Sequence, residues 1–513
     1  MKKIKFKSSI LAVVLALTTV ACDDYLDINQ NPNNNRYDNV TPPQILAGAA
    51  VSAYRVQARN MTVLGNYFMQ NWYNNIYGYT GVSGAMDYTY EIDNTFNAAI
   101  WDGLYPQIKN LNDIVEYSSE DYDNHKAAAL ILKAFYMQYI VDLYGDAPYS
   151  EAFQGGLEIS PAYDDDAQIY ASLIGDINTA FDLFDNTDSS DAAFGSEDVI
   201  FAGDVDKWKA FGNFVKAKLL LRESNVADAA FLSEQFGQIT ASGLFPTEAI
   251  LINPGYNDAT DAQLNPYYNL WYTAAGTSVR PTTYYVASGF IADFLNGQTT
   301  SYNGPSTGFV YSNIVDQRRS VLYELNGGVV TAAYQGQGVG DPGLPATISA
   351  AELVPGLGTD GSDGYVVSLP EIKFLLAEAI SRGYLSGDAK TEFENGVIAS
   401  FTQLGLSSAT ATSYLASVNS LPNVGWNGGA NAISSIMTQK WLATNSINPI
   451  EAYIDLTRTG YPSLPLPTST VRSHRPYRLQ YPSSEVTANS ANMPIVELSD
   501  LFTVNAHTPF WKN

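Results

Sequence analysis

The sequence predicts an all-α-dominated fold of tetratricopeptide-like helix pairs with long irregular loops. Three observations carry this expectation. Apolar residues recur at helical spacing in long, capped segments. Those segments come in pairs joined by short turns. The stretches between pairs are long and rich in Gly, Asn, Pro, Ser, Thr and Tyr.

In chain order, the first element is a leader. Lys2, Lys3, Lys5 and Lys7 precede an apolar run over 10–17 that is too short to span a bilayer as a helix. It ends in Thr19-Val20-Ala21-Cys22, the pattern of a lipoprotein signal. Residues 1–21 are therefore expected to be removed and Cys22 acylated, with 22–40 a polar, Asn-rich tether. Ordinary secretory cleavage near Ala21, leaving a free thiol, is the competing reading. Cys22 is the only cysteine, so no disulfide framework can form.

Residues 41–513 are expected to form one helical domain. Thr41-Pro42-Pro43 starts a helix towards residue 60, with proline tolerated in the first turn. Residues 125–143 read as a long buried helix closed by Gly145, and 165–184 as another capped by Asp164 or Asp165. Three pairs follow, at 206–223 with 227–241, 369–384 with 388–404, and 431–445 with 449–459. Units of this kind stack and share one core. Irregular segments are expected over 61–100, 254–283, 297–315, 326–368 and 460–513, with a short hairpin near 329–333. Their aromatic content argues against disorder.

The formal charge of −25 disfavours nucleic-acid binding through phosphate neutralisation, and adhesion to anionic lipid through a basic patch. Removal of the leader makes the balance still more acidic. With 35 tyrosines and only 15% charged residues, the surface is built to hydrogen-bond and stack.

Several segments resemble the SusD/RagB family of outer-membrane nutrient-binding lipoproteins, in its SusD-like, starch-binding-associated subgroup. They are CDDYLDINQNPN at 22–33, VDLYGDAPYSEAF at 141–153, PAYDDDAQIYASLIGDI at 161–177 and WKAFGNFVKAKLLLRES at 208–224. LPEIKFLLAEAISRGYLSGDA at 369–389, QKWLATNSINPIEAYIDLTRTGYPSL at 439–464 and RLQYPSSEVTANSAN at 478–492 are also similar. The resemblance implies a SusD-like fold, display on the outer face of the outer membrane and no enzymatic activity. It also implies a SusC-like TonB-dependent transporter as partner, to which a captured oligosaccharide is handed. Asp23-Asp24 after the cysteine fits the export signal of that bacterial group. The same architecture binding peptides, a lipid-anchored glycoside hydrolase and a structural adhesin are the alternatives.

The residues themselves favour binding over chemistry. The three histidines, His125, His474 and His507, lack metal-ligand spacing, and no nucleophile elbow or phosphate loop occurs. No cofactor and no metal is expected. Carboxylate pairs for glycoside cleavage stay open, because separation is not legible in sequence. Asp164-Asp165-Asp166 does not follow the alternation of a calcium loop and reads as helix capping.

Sugars offer ring faces that stack on aromatics, and hydroxyls that pair with Asn, Asp, Gln and Arg. The stretch 67–105 holds eleven aromatics, and 265–285 is a second aromatic stretch. Trp72, Tyr77, Tyr79, Trp271, Tyr272 and Arg280 are the candidate ligand contacts, with core packing or transporter contact the competing roles. Trp101, Trp208 and Trp441 are expected in the core. Trp426, in a glycine-rich loop, is left between ligand, transporter and loop-anchor roles. The arginines at 458 and 478 and the run 316–319 read as structural.

Overall fold

A computed structural model describes residues 40–154, 158–281, 283–298 and 313–512. The leader, Cys22 and nearly all of the 22–40 tether lie outside the described residues, as does most of the 297–315 segment.

Helix α1 (Pro42–Val56) starts where the prolines predict. The chain then stays helical through the expected loop boundary, in a π turn (Gln57–Met61) followed by α2 (Thr62–Phe68). A π turn re-aims side chains. Here Gln57 Nε2 donates to Val366 O at 2.9 Å, and Arg59 Nη1 to Asn269 Oδ1 at 2.6 Å. Helix α2 exists because it docks closely: a Cβ on Gly65 would collide with the backbone of Pro449 and Ile450. The strand β1 (Trp72–Asn74) and the short helix α3 (Met86–Thr89) follow. Helix α4 (Ala99–Val115), α5 (Asp123–Tyr144) and α6 (Asp166–Asn186) come next. Asp165 caps α6, accepting from Gln168 N at 3.1 Å.

Every residue of α5 from His125 onward is buried. It is long and apolar enough to cross a membrane by composition, yet α1, α4, α6 and α7 (Val205–Glu223) enclose it. Helix α8 (Ala229–Ser242), capped by Asp228, packs on α7.

The segment from 250 onward is mostly irregular. It holds β2 (Ile250–Ile252), α9 (Tyr268–Trp271), β3 (Tyr285–Ala287), α10 (Gly289–Asn296), α11 (Arg319–Leu322) and β4 (Gly364–Val367). Strand β1 pairs antiparallel with β3, placing Trp72 opposite Ala287 and Asn74 opposite Tyr285. Strands β2 and β4 form a second ladder. The hairpin expected near 329–333 reduces to a single bridge, Asn326 with Val329.

The C-terminal array is α12 (Leu369–Ser381), α13 (Ala389–Gln403), α14 (Ser408–Val418), α15 (Ala432–Thr444) and α16 (Pro449–Thr459), with the short α17 (Ser483–Ala488) beyond. All three expected pairs are in contact: α7 with α8, α12 with α13, and α15 with α16. Helix α14 escapes sequence reading because only Ala411, Tyr414 and Val418 are buried, a weak periodic signal among small polar residues. The expected core tryptophans Trp101, Trp208 and Trp441 are buried.

Where α5, α7, α12, α15 and α16 meet, four cations face four carboxylates out of water. Asp455 accepts from Arg222 and Lys440, each at 2.6 Å, and from Arg458 at 3.1 Å. Arg458 grips Glu378 bidentately at 2.7 and 2.8 Å, the structural role its position suggests. Glu451 bonds Lys218 and Arg222, and Asp142 lies 3.3 Å from Arg222. Burial alone would raise Glu451, but the charges of Lys218, Arg222 and Lys440 outweigh it and bring the carboxyl to about 2.

Glu223, at the end of α7, has no such partner. It is 8% exposed, and its Oε1 has no hydrogen-bond donor among the described residues. Burial pushes its carboxyl up to about 7. A raised carboxyl adds stability below its unfolded value and loses it as pH rises through the folded one. Glu223→Gln is therefore expected to leave the melting temperature at pH 5 nearly unchanged and to raise it at pH 8. The gain is at most about 3 kcal/mol, and differential scanning fluorimetry at both pH values measures it.

Candidate ligand-binding face

Residues on the loops that follow β1 and precede β3 converge through the β1–β3 ladder. Asn75 N extends the ladder to Tyr284 O at 3.1 Å. Adjacent strand residues point to opposite faces. Tyr285 is accordingly buried while Tyr284 is half-buried and faces the loops.

Beneath the face lies an aromatic foundation. Trp72 stacks on Tyr285 with centroids 4.7 Å apart and planes 30° from parallel. Trp271 meets Trp72 at 5.8 Å and Tyr285 at 5.5 Å, edge to face. Trp72 is 0% exposed and Trp271 8%. Burial takes both rings away from direct ligand contact and into a supporting position: β1 is buried along its whole length, and the turn after α9 folds Val279 N back onto Trp271 O at 2.8 Å.

The other four candidates stand further out. Tyr77 is 46% exposed, and its hydroxyl donates to Pro345 O, tying the loop to the 337–346 segment. Tyr79 packs edge-on against Tyr284 at 4.7 Å. The exposed Arg280 places its guanidinium 5.3 Å from the Tyr284 ring centroid and 5.7 Å from that of Tyr285. Tyr272 is half-buried and lies against Tyr268 at 5.3 Å. Tyr79 and Arg280 thus meet at Tyr284, Tyr77 is tied by its N–H to Asn75 Oδ1 at 3.0 Å, and Tyr272 sits on the adjoining turn.

Sequence reading passed over Tyr284, Arg59 and Asp87. Tyr284 stands next to Tyr285, and only strand alternation separates the outward ring from the buried one. Arg59 reaches Asn269 through the π turn, for which the sequence has no pattern. Its guanidinium is lowered by burial and by the charges of Arg55 and Arg280. Asp87 is pushed up to about 6 by burial; burial also raises the hydroxyls of Tyr67, Tyr88 and Tyr285, and the charge of Asp87 adds to it.

Elsewhere the polar motifs make contacts within the frame. Asp164 Oδ2 accepts from Tyr149 N and Ser150 N, each at 2.9 Å. Asp166 accepts from Phe510 N at 2.8 Å, and burial pushes it up to about 7. Asp146, Asp165 and Asp166 bring carboxylate oxygens within 4.8 Å of one another, with Asp146 Oδ1 accepting from Asp166 N at 3.1 Å. Buried Arg318 pairs with Asp316 at 2.6 Å, and Arg478 donates to Leu479 O and His507 O. Trp426 is half-buried against Phe393 at 5.4 Å and anchors its loop on α13. His125 is buried, with Nε2 2.9 Å from Glu197.

The helical frame thus presents an aromatic loop face bearing the Arg280 guanidinium. The chain belongs to the SusD-like family described as starch-binding and associating with the outer membrane, whose sequence profile matches residues 34–482. Members of this family are binding proteins and not enzymes. Similar solved structures agree on the fold. A chitin-binding protein is 24% identical, at a TM-score of 0.65, with 87% of this chain and 94% of that one covered. A chitin-binding SusD homolog from Flavobacterium johnsoniae is 21% identical, at 0.67, covering 87% and 92%. A SusD-like protein described as Bacteroidetes AC2a is 18% identical, at 0.69, covering 92% and 99%. A search of curated proteins finds no match.

Proposed function

We propose that this chain is a surface lipoprotein of the outer membrane that captures oligosaccharides and delivers them to a SusC-like TonB-dependent transporter. Cys22 carries the acyl anchor, and residues 41–513 act as one helical unit. Sugar rings stack on Tyr77, Tyr79 and Tyr284, Arg280 hydrogen-bonds to hydroxyls, and Tyr272 extends the face. The observation that carries this reading is the outward set of tyrosines around Arg280, held on a buried Trp72–Tyr285–Trp271 base. Rings fixed from below lose little freedom on stacking, which favours a neutral ligand with flat apolar faces.

Calorimetric titration with chito-, malto- and cello-oligosaccharides, and with a peptide panel, tests it. Two similar structures are described as chitin-binding, so chito-oligosaccharides head the panel. Saturable binding to one glycan class is expected, weakened about tenfold, or about 1.4 kcal/mol, by Tyr79→Ala or Arg280→Ala. Both variants should keep the parent melting temperature, because neither side chain is in the core. Binding to peptides alone, or glycan binding indifferent to both variants, would sink the proposal.

A further inference from the structure

The chain holds 52 acidic residues against 27 Lys and Arg, yet one cleft is lined by basic groups and, among the described residues, by no carboxylate. It lies at the C-terminal end of α16, where the 460–466 and 473–475 segments meet the final turn, Phe510–Lys512. It encloses about 220 Å³. His474, Arg475 and Lys512 supply the basic groups, Ser463 and Ser473 supply hydroxyls, and Leu456 and Leu466 supply an apolar wall.

The basic groups are held in place. Arg475 donates Nε to Phe68 O and Nη1 to Leu464 O, each at 3.0 Å, and Nη2 to Pro465 O. His474 Nδ1 lies 2.6 Å from Arg475 O. A carbonyl only accepts, so Nδ1 carries the proton and Nε2 is left for the cleft. The imidazole stacks on Tyr477 at 4.2 Å, and Lys512 Nζ lies 5.5 Å from the same ring centroid. Among the described residues no ion pair with Lys512 is found. Partial desolvation and the charges of Arg475 and Lys512 hold His474 below its usual value. A helix C-terminus attracts cations, but this one is already served: Gly460 N takes Leu456 O at 2.8 Å, and Thr459 Oγ1 takes Asp455 O at 2.7 Å.

We propose that this cleft is a binding site for a sugar acid, separate from the tyrosine face. Its carboxylate pairs with Lys512, a ring hydroxyl donates to His474 Nε2, and its carbon ring lies against Leu456 and Leu466. The carboxylate supplies the counter-charge that Lys512 lacks among the described residues, and the two serines meet hydroxyls.

Titration of the full chain with glucuronate, with methyl glucoside as the neutral control and acetate as the bare carboxylate, tests this. Glucuronate is expected to saturate, to bind about fivefold or more tightly than acetate, and to weaken severalfold between about 50 and about 500 mM NaCl. Lys512→Met keeps the apolar stem and should cost at least about fivefold in glucuronate affinity at unchanged melting temperature. Equal binding of methyl glucoside, or an unchanged affinity in Lys512→Met, overturns the proposal, and acetate binding as tightly as glucuronate overturns its sugar part. No binding, together with a lower melting temperature for Lys512→Met, overturns it in favour of cations that serve only the helix end. Neutral oligosaccharide binding should respond to Tyr79→Ala and ignore Lys512→Met, so failure at one site is distinguishable from failure at the other.

Discussion

Asp455→Ala lowers the stability of the fold by about 3–5 kcal/mol, measured by denaturant unfolding followed by circular dichroism. The size follows from what the carboxylate holds. Arg222, Lys440 and Arg458 all bond to it within 3.1 Å, and all are buried. Removing it leaves four cations, Lys218 among them, sharing Glu378, Glu451 and Asp142 in a buried region that solvates the excess charge poorly. The charges of Lys440, Arg222 and Arg458 overcome burial and hold the Asp455 carboxyl far below the usual range. A depressed carboxyl contributes stability above its unfolded value and loses it as pH falls through the folded one. The parent should therefore keep this contribution at neutral pH and lose the Glu451 share as pH falls from about 4.5 towards about 2. In Asp455→Ala the loss should already be present at pH 7. A cost below about 1 kcal/mol at pH 7 would mean that the cluster contributes little to the frame.

Trp72→Ala is expected to cost about 3–5 kcal/mol through the cavity left under the loops, and to abolish glycan binding as a consequence. Its ring is fully buried, stacked on Tyr285 and set against Trp271. Its removal unseats β1 from β3, and with β3 goes the placement of Tyr284 and Arg280. Thermal unfolding and glycan titration on the same preparation separate this from a contact role. A large drop in melting temperature together with lost binding supports the foundation role. An unchanged melting temperature with lost binding would mean that the indole reaches the ligand directly, and the buried assignment would be overturned. Tyr79→Ala, which removes a ring from the face and not from its base, should show the reverse balance.

Much of the frame was legible because its helices carry strong local signals. Asp165, Asp204 and Asp228 each accept backbone N–H bonds at a helix start, and α5 carries long apolar runs. What escaped was helix that exists through docking: α2 depends on the bare Gly65 meeting α16, and α14 buries only three residues. The candidate face was half legible. The aromatic stretches at 67–105 and 265–285 were visible as composition, and Tyr79 and Arg280 come together at Tyr284. Which rings face outward was not visible, because that depends on a pairing between residues more than 200 positions apart.

By itself, the sequence determined the helical class, the positions of most long helices, though not Ala99–Val115, and the family signature, since each rests on residues close together along the chain. Only the tertiary structure decided that Trp72 and Trp271 support the face, that Arg59 and Tyr284 border it, and that eight charges neutralise one another in the interior. Those outcomes depend on burial and on charge pairing across distant segments, which acquire their energies only when the segments meet.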